Sequence, residues 1–74
     1  MKSVDVTFQG IKCKLEYITK GCYGYDGKER YELWTNIKYS KVSELESNGF
    51  VDFDRGLYYK VIDENTAKEL LKNK

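Results

Sequence analysis

What this chain offers for chemistry is two cysteines, twelve carboxylates and a glycine-rich stretch, and each needs partners before it can act. Cys22, near Lys20, has the cationic neighbour that turns a thiol into a nucleophile. With no histidine anywhere in the chain, Ser-His, Cys-His and His-metal chemistry are excluded, and two cysteines alone cannot complete a tetrahedral zinc site. Cys22 therefore reads as a bland loop thiol. No disulfide with Cys13 is expected, because no export signal precedes them. Glu44 and Glu46, two residues apart on a helix, point in different directions. Asp52 and Asp54 alternate on a strand and should share a face, where a solvated acidic edge is a simpler reading than a divalent-ion site.

The stretch KGCYGYDGKER, residues 20 to 30, places glycines at 21, 24 and 27. A phosphate cradle needs its glycines immediately before a helix N-terminus, where backbone N–H groups face the anion. The flanks here read as strands, and the spacing matches neither the Walker nor the dinucleotide pattern. A hairpin fits better, with Asp26-Gly27 as its turn and a bulge at Gly21 or Gly24. No cofactor, metal or catalytic constellation is expected, and the chain does not read as an enzyme.

Binding residues are easier to find. The hairpin tip presents Tyr23 and Tyr25 beside Lys28 and Arg30, and amphipathic rings of this kind recur at interface hot spots. The alternative is that these rings fold back and extend the core. Trp34 stands on the face of its strand that also carries Lys12, Lys14, Arg30 and Lys38, where it can anchor a protein or stack on a base, unless another element covers it. Tyr23, Tyr25, Lys28, Arg30 and Trp34 are thus the candidate partner-binding set. For a nucleic-acid alternative the set is Lys12, Lys14, Lys38, Lys41 and Arg55.

The elements that must position these groups follow from periodicity. Val4, Val6 and Phe8, then Ile11, Cys13, Leu15 and Tyr17, alternate with polar residues around Gln9-Gly10. In a two-residue hairpin Phe8 faces Ile11, Val6 faces Cys13, Val4 faces Leu15, and Asp5 meets Lys14 on the opposite side. Residues 30 to 39 alternate as a third strand with Tyr31, Leu33 and Ile37 inward. A helix is the alternative there, since Asp26 and Glu29 stand at capping-box spacing. Ser40 is expected to cap a short helix carrying Val42 and Leu45 inward, stopped by Asn48-Gly49. A second hairpin follows, with Asp54-Arg55-Gly56 as a three-residue loop. It places Val51, Phe53, Leu57, Tyr59 and Val61 on one face and Phe50, Tyr58 and Ile62 on the other. Asp63 caps a final helix bearing Ala67, Leu70 and Leu71, with Glu64 and Lys68 four apart. The order β-β-β-α-β-β-α predicts a single α+β domain built on one antiparallel sheet with two short helices.

The segment YSKVSELESNGFVDFDRGLYYKV, Tyr39 to Val61, resembles the end of a winged-helix domain: a recognition helix, a glycine stop and a wing hairpin. The resemblance implies that Lys41, Ser43 and Glu44 face a major groove and that Arg55 sits at a wing tip. It covers about a third of the chain. Upstream, where that family has two helices, this chain has alternating strands, and Glu44, Glu46, Asp52 and Asp54 stand where phosphate contacts require cations.

Composition bounds the rest. A chain of 74 residues buries only about 60 to 65% of its unfolded surface, leaving one thin core and little room for a deep active site. Seven Tyr, three Phe and one Trp are more than a disordered chain of this charge carries. Net charge is +1, divided as +3 over residues 1–41 and −2 over 42–74, so bulk attraction to nucleic acid or membrane is weak. No stretch approaches membrane-spanning length and no signal or lipidation motif is present, which predicts a cytoplasmic location. Eleven of thirteen basic residues are Lys, a bias that suits an AT-rich genome such as a low-GC bacterium or its phage. The expected function is a small regulatory or inhibitory module that binds a protein partner, as a monomer or homodimer. Nucleic-acid binding is the alternative.

Overall fold

In the computed structural model, which describes residues 3–18 and 30–73, Gln9 and Gly10 are both left-handed at φ 50° and 80°. This is a type I′ turn, whose twist matches that of the strands it joins. β1 (Ser3–Phe8) and β2 (Ile11–Ile18) pair antiparallel, with Phe8 opposite Ile11, Val6 opposite Cys13 and Val4 opposite Leu15, the register expected from the alternation. On the other side Lys14 binds Asp5.

β3 (Arg30–Asn36) is a strand, not the alternative helix, and sets Leu33 opposite Leu15 and Trp34 opposite Lys14. It stops three residues earlier than expected. Ile37, expected inward, is exposed in the following turn, where its N–H donates to the Gly56 carbonyl at 3.0 Å.

α1 (Val42–Ser47) begins at an N-cap of Lys41, which makes no side-chain cap; Ser40 does not cap it. Its end is as expected and has larger consequences. Gly49, at φ 86°, donates to the Glu46 carbonyl and Phe50 to the Leu45 carbonyl, both at 3.0 Å. That pair of bonds is a Schellman stop, and its usual apolar contact joins Leu45 and Phe50 in the core. With Phe50 turned inward, the next residue, Val51, must turn outward.

β4 (Val51–Asp54) and β5 (Leu57–Ile62) complete a five-stranded antiparallel sheet in the order β1-β2-β3-β5-β4. Their loop has two residues and not three: Arg55 and Gly56 sit at φ 51° and 84°, and Asp54 pairs with Leu57. The extra residue is absorbed inside β4, where the register shifts between Asp52 and Asp54 and leaves Phe53 as a bulge. Asp52 opposes Tyr58 and Asp54 opposes Leu57, so the two carboxylates fall on opposite faces, contrary to expectation.

α2 (Glu64–Lys72) starts one residue after β5, with the Asp63 side chain accepting from the Thr66 N–H at 3.0 Å and Lys68 paired to Glu64 at 3.2 Å. It packs against β1 and β3. Val6, Ile11, Cys13, Leu15, Leu33, Tyr58 and Ile62 from the sheet form one cluster with Leu45 of α1, Phe50 just after it and Ala67 of α2. Both helices therefore cover the same face, and among the described residues no element covers the other. The architecture is the α+β order read from the sequence. The helix, stop and hairpin of the winged-helix resemblance do form, but three strands precede a six-residue α1, and β5 is an interior strand between β3 and β4. No described helix is long and apolar enough to cross a membrane.

Candidate functional site

The uncovered face is organised in rows that run across the strands. One row reads Asp5, Lys14, Trp34, Tyr59 and Val51, passing from charged at β1 to apolar at β4. Beside it lie Leu57, opposite Asn36, and Val61, opposite Glu32. The bulge turns Phe53 toward the same face, where its ring meets Trp34 edge-on with centroids 5.0 Å apart. Tyr59 stacks on Trp34 at 5.2 Å and meets Phe53 edge-on at 6.2 Å. Trp34 and Tyr59 are half-buried by this mutual packing. Phe53, Val51, Val61 and Leu57 remain 60, 52, 47 and 38% exposed, so the cluster is an open apolar surface and not a second core.

The Trp34 ring is held in place from below. Its Nε1–H donates to Glu32 Oε1 at 3.0 Å, and the other oxygen of that buried carboxylate takes a bond from Arg30 Nε at 2.7 Å and an ion pair with Nη2. A buried charge held this way is compensated on both oxygens. The indole N–H is thereby occupied, and what Trp34 leaves open is its π-surface. Arg30 is thus on the predicted face, as a support for Trp34.

At the β1–β2 end the cluster borders a groove of about 580 Å³, lined by Asp5, Lys12, Lys14, Trp34 and Tyr39 and also by Val6 and Cys13 of the core and Asn73 at the end of α2. The Thr35 hydroxyl donates to the Lys12 carbonyl at 2.7 Å and ties β2 to β3 where their ladder ends. Asp5, bonded to the Lys14 ammonium, raises the pKa of that lysine. Lys38 approaches the Tyr39 ring at 5.5 Å. Cys13 also borders this groove; burial pushes its thiol up to about 11, so it stays protonated.

Of the nucleic-acid candidates, Lys12 and Lys14 line this groove, and Lys38 lies against Tyr39 at its border. Lys41 is instead the N-cap of α1, and Arg55 lies in the β4–β5 turn, 3.7 Å from Asp54. Tyr23, Tyr25, Lys28 and Cys22 lie outside the described residues. Sequence reasoning missed Phe53 and Tyr59 as site residues. Their signal was present, since alternation puts them on one face with Val51, Leu57 and Val61. The alternation divided the hairpin into two faces without assigning either to the core. The Leu45–Phe50 spacing around Asn48-Gly49 is the feature that assigns the set of Phe50, Tyr58 and Ile62 to the core. Comparisons with protein-family models, with curated proteins and with solved structures found no match.

Proposed function

We propose that this chain is a small non-enzymatic module, regulatory or inhibitory in role, that binds a protein partner through its uncovered sheet face. The observation that carries the reading is the Trp34–Phe53–Tyr59 cluster with Val51, Leu57 and Val61 open around it. Folded monomers rarely leave contiguous apolar patches above roughly a few hundred Å² uncovered, and large aromatic rings are the residues that dominate interface energetics. The ring cluster is also preorganised. Glu32 and Arg30 fix the orientation of Trp34 before any partner arrives, which reduces the ordering cost of association. Two charge pairs on this face are internal supports, Arg30 with Glu32 and Lys14 with Asp5, and no described nucleophile and base stand together there. A cytoplasmic setting in a low-GC bacterium or its phage belongs to the same proposal and rests on composition.

A nucleic-acid reading draws on Lys12 and Lys14 beside Trp34. Against it stand the aliphatic side chains of the patch, which offer nothing to a base, and a net charge of only +1. The experiment is capture from host lysate on the immobilised chain, with and without nuclease, at rising salt. Protein retained after nuclease treatment and tolerant of salt is the expected result. Retention that disappears with nuclease or falls steeply with salt assigns the face to nucleic acid.

A further inference from the structure

From the distribution of charge around the aromatic cluster we infer that the partner segment is acidic, placing carboxylates in the Lys12–Lys14 groove while an apolar side chain rests on Trp34, Phe53 and Tyr59. This inference rests on the protein-binding reading above. Its starting point is the asymmetry of the central row, which is charged at one end and apolar at the other. At the apolar end Asp54 and Arg55 pair with each other, leaving no net charge to satisfy. At the groove end the balance is positive. Lys12 is exposed and makes no ion pair among the described residues, and neither does Lys38. Lys14 is paired with Asp5, but both side chains are largely exposed, and such a pair exchanges readily for another carboxylate.

A partner that covers the rings must also cover or border these ammonium groups, and an ammonium desolvated without a counter-charge opposes binding. Carboxylates at that edge answer the requirement. Phosphates answer it less well, because Asp5 stands in the row and Glu16 in the row beside it, opposite Glu32, so an extended polyanion across the lysines would meet both. A second copy of the chain is a different occupant. Its own apolar face would satisfy the rings but would bring a second set of lysines toward the same surface.

The test is selection of a random-peptide library on the immobilised full chain. Recovered peptides should be enriched in Asp or Glu near an aromatic or aliphatic anchor. Selection on K12Q/K14Q should keep the apolar preference and lose the acidic one, and the affinity of a recovered peptide should fall about three- to tenfold at low salt, with the difference shrinking as salt rises. Peptides enriched in apolar residues alone would overturn the acidic partner while leaving the interaction face standing. Peptides whose recovery is unaffected by F53A/Y59A would overturn the interaction face itself. A labelled single-stranded DNA oligonucleotide that competes with the peptides and binds more tightly would assign the groove to nucleic acid. Sedimentation showing a dimer abolished by F53A/Y59A would assign the face to a second copy.

Discussion

Phe50 and Phe53 are the same residue type three positions apart, and the structure gives them opposite roles. Phe50 is 4% exposed, completes the Schellman contact with Leu45, and meets the Phe8 ring edge-on at 6.0 Å. Phe53 is 60% exposed and touches the rings of Trp34 and Tyr59. Replacing Phe50 with Ala removes a buried ring and leaves a cavity, which costs about 3 to 5 kcal/mol. That is a large fraction of what a domain of this size possesses. Phe53→Ala surrenders only the covered part of its ring, and full burial of such a side chain is itself worth roughly 1.5 to 3 kcal/mol, so the loss should be about 1 kcal/mol. With a urea dependence of about 1 kcal/mol per M for a chain this short, Phe53→Ala lowers the midpoint by about 1 M, whereas Phe50→Ala lowers it by about 3 M or leaves the protein unfolded. Equilibrium urea unfolding followed by far-UV circular dichroism measures both. Equal losses, or a larger loss at Phe53, would refute the assignment of the two sheet faces and with it the interaction surface.

Three other outcomes follow from the same geometry. Glu32→Gln keeps an acceptor for the Trp34 N–H but removes the charge that holds Arg30, so it should cost about 1 to 3 kcal/mol and change Trp34 emission, read by unfolding and fluorescence on one sample. Gly49→Ala puts a Cβ at φ 86° and 2.6 Å from the end of the flexible Lys60 side chain, which can move; the backbone penalty of about 1 kcal/mol should remain as a lower urea midpoint. Cys13 has a pKa raised by burial from 9.0 to about 11, so its contribution is complete below about pH 9 and is lost as pH rises toward 11, when the unfolded thiol ionises first. Stability measured from pH 8 to 10.5 should therefore fall by about 2 kcal/mol more in the wild type than in Cys13→Ala, and native Cys13 should resist thiol reagents throughout the lower part of that range.

The N-terminal hairpin was legible because three independent signals agreed: period-two alternation, a Gln-Gly turn able to adopt left-handed angles, and a register that put every apolar residue on one side. The second hairpin was legible as strands but not as faces. Alternation divides residues into two sets without saying which set meets the helices, and here the more apolar set lies outside. Tertiary contacts decide: Leu33 and Thr35 of β3 fix the phase of β5 through their pairing with Lys60 and Tyr58, and the helix stop fixes the phase of β4. The bulge at Phe53 was hidden for a related reason, since a three-residue loop and a two-residue loop with a bulged strand use the same residues. Ile37 followed the strand pattern locally but fell beyond the end of the ladder with β5, where its backbone bonds Gly56 in a turn. Trp34, by contrast, was placed on the correct face with Lys14 and Arg30, because the inward set of β3 was anchored by Leu33 against Leu15.

On the proposed reading, the aromatic cluster on the uncovered face supplies more binding energy than folding energy. The most direct measurement is the affinity of a captured protein partner for the wild type and for Phe53→Ala/Tyr59→Ala, by titration calorimetry, with urea unfolding of both proteins alongside. Binding should weaken by about 2 kcal/mol or more, roughly thirtyfold, while the double variant stays folded under the titration conditions. Unchanged affinity in a folded double variant would contradict the claim and remove the uncovered face from the function of this protein.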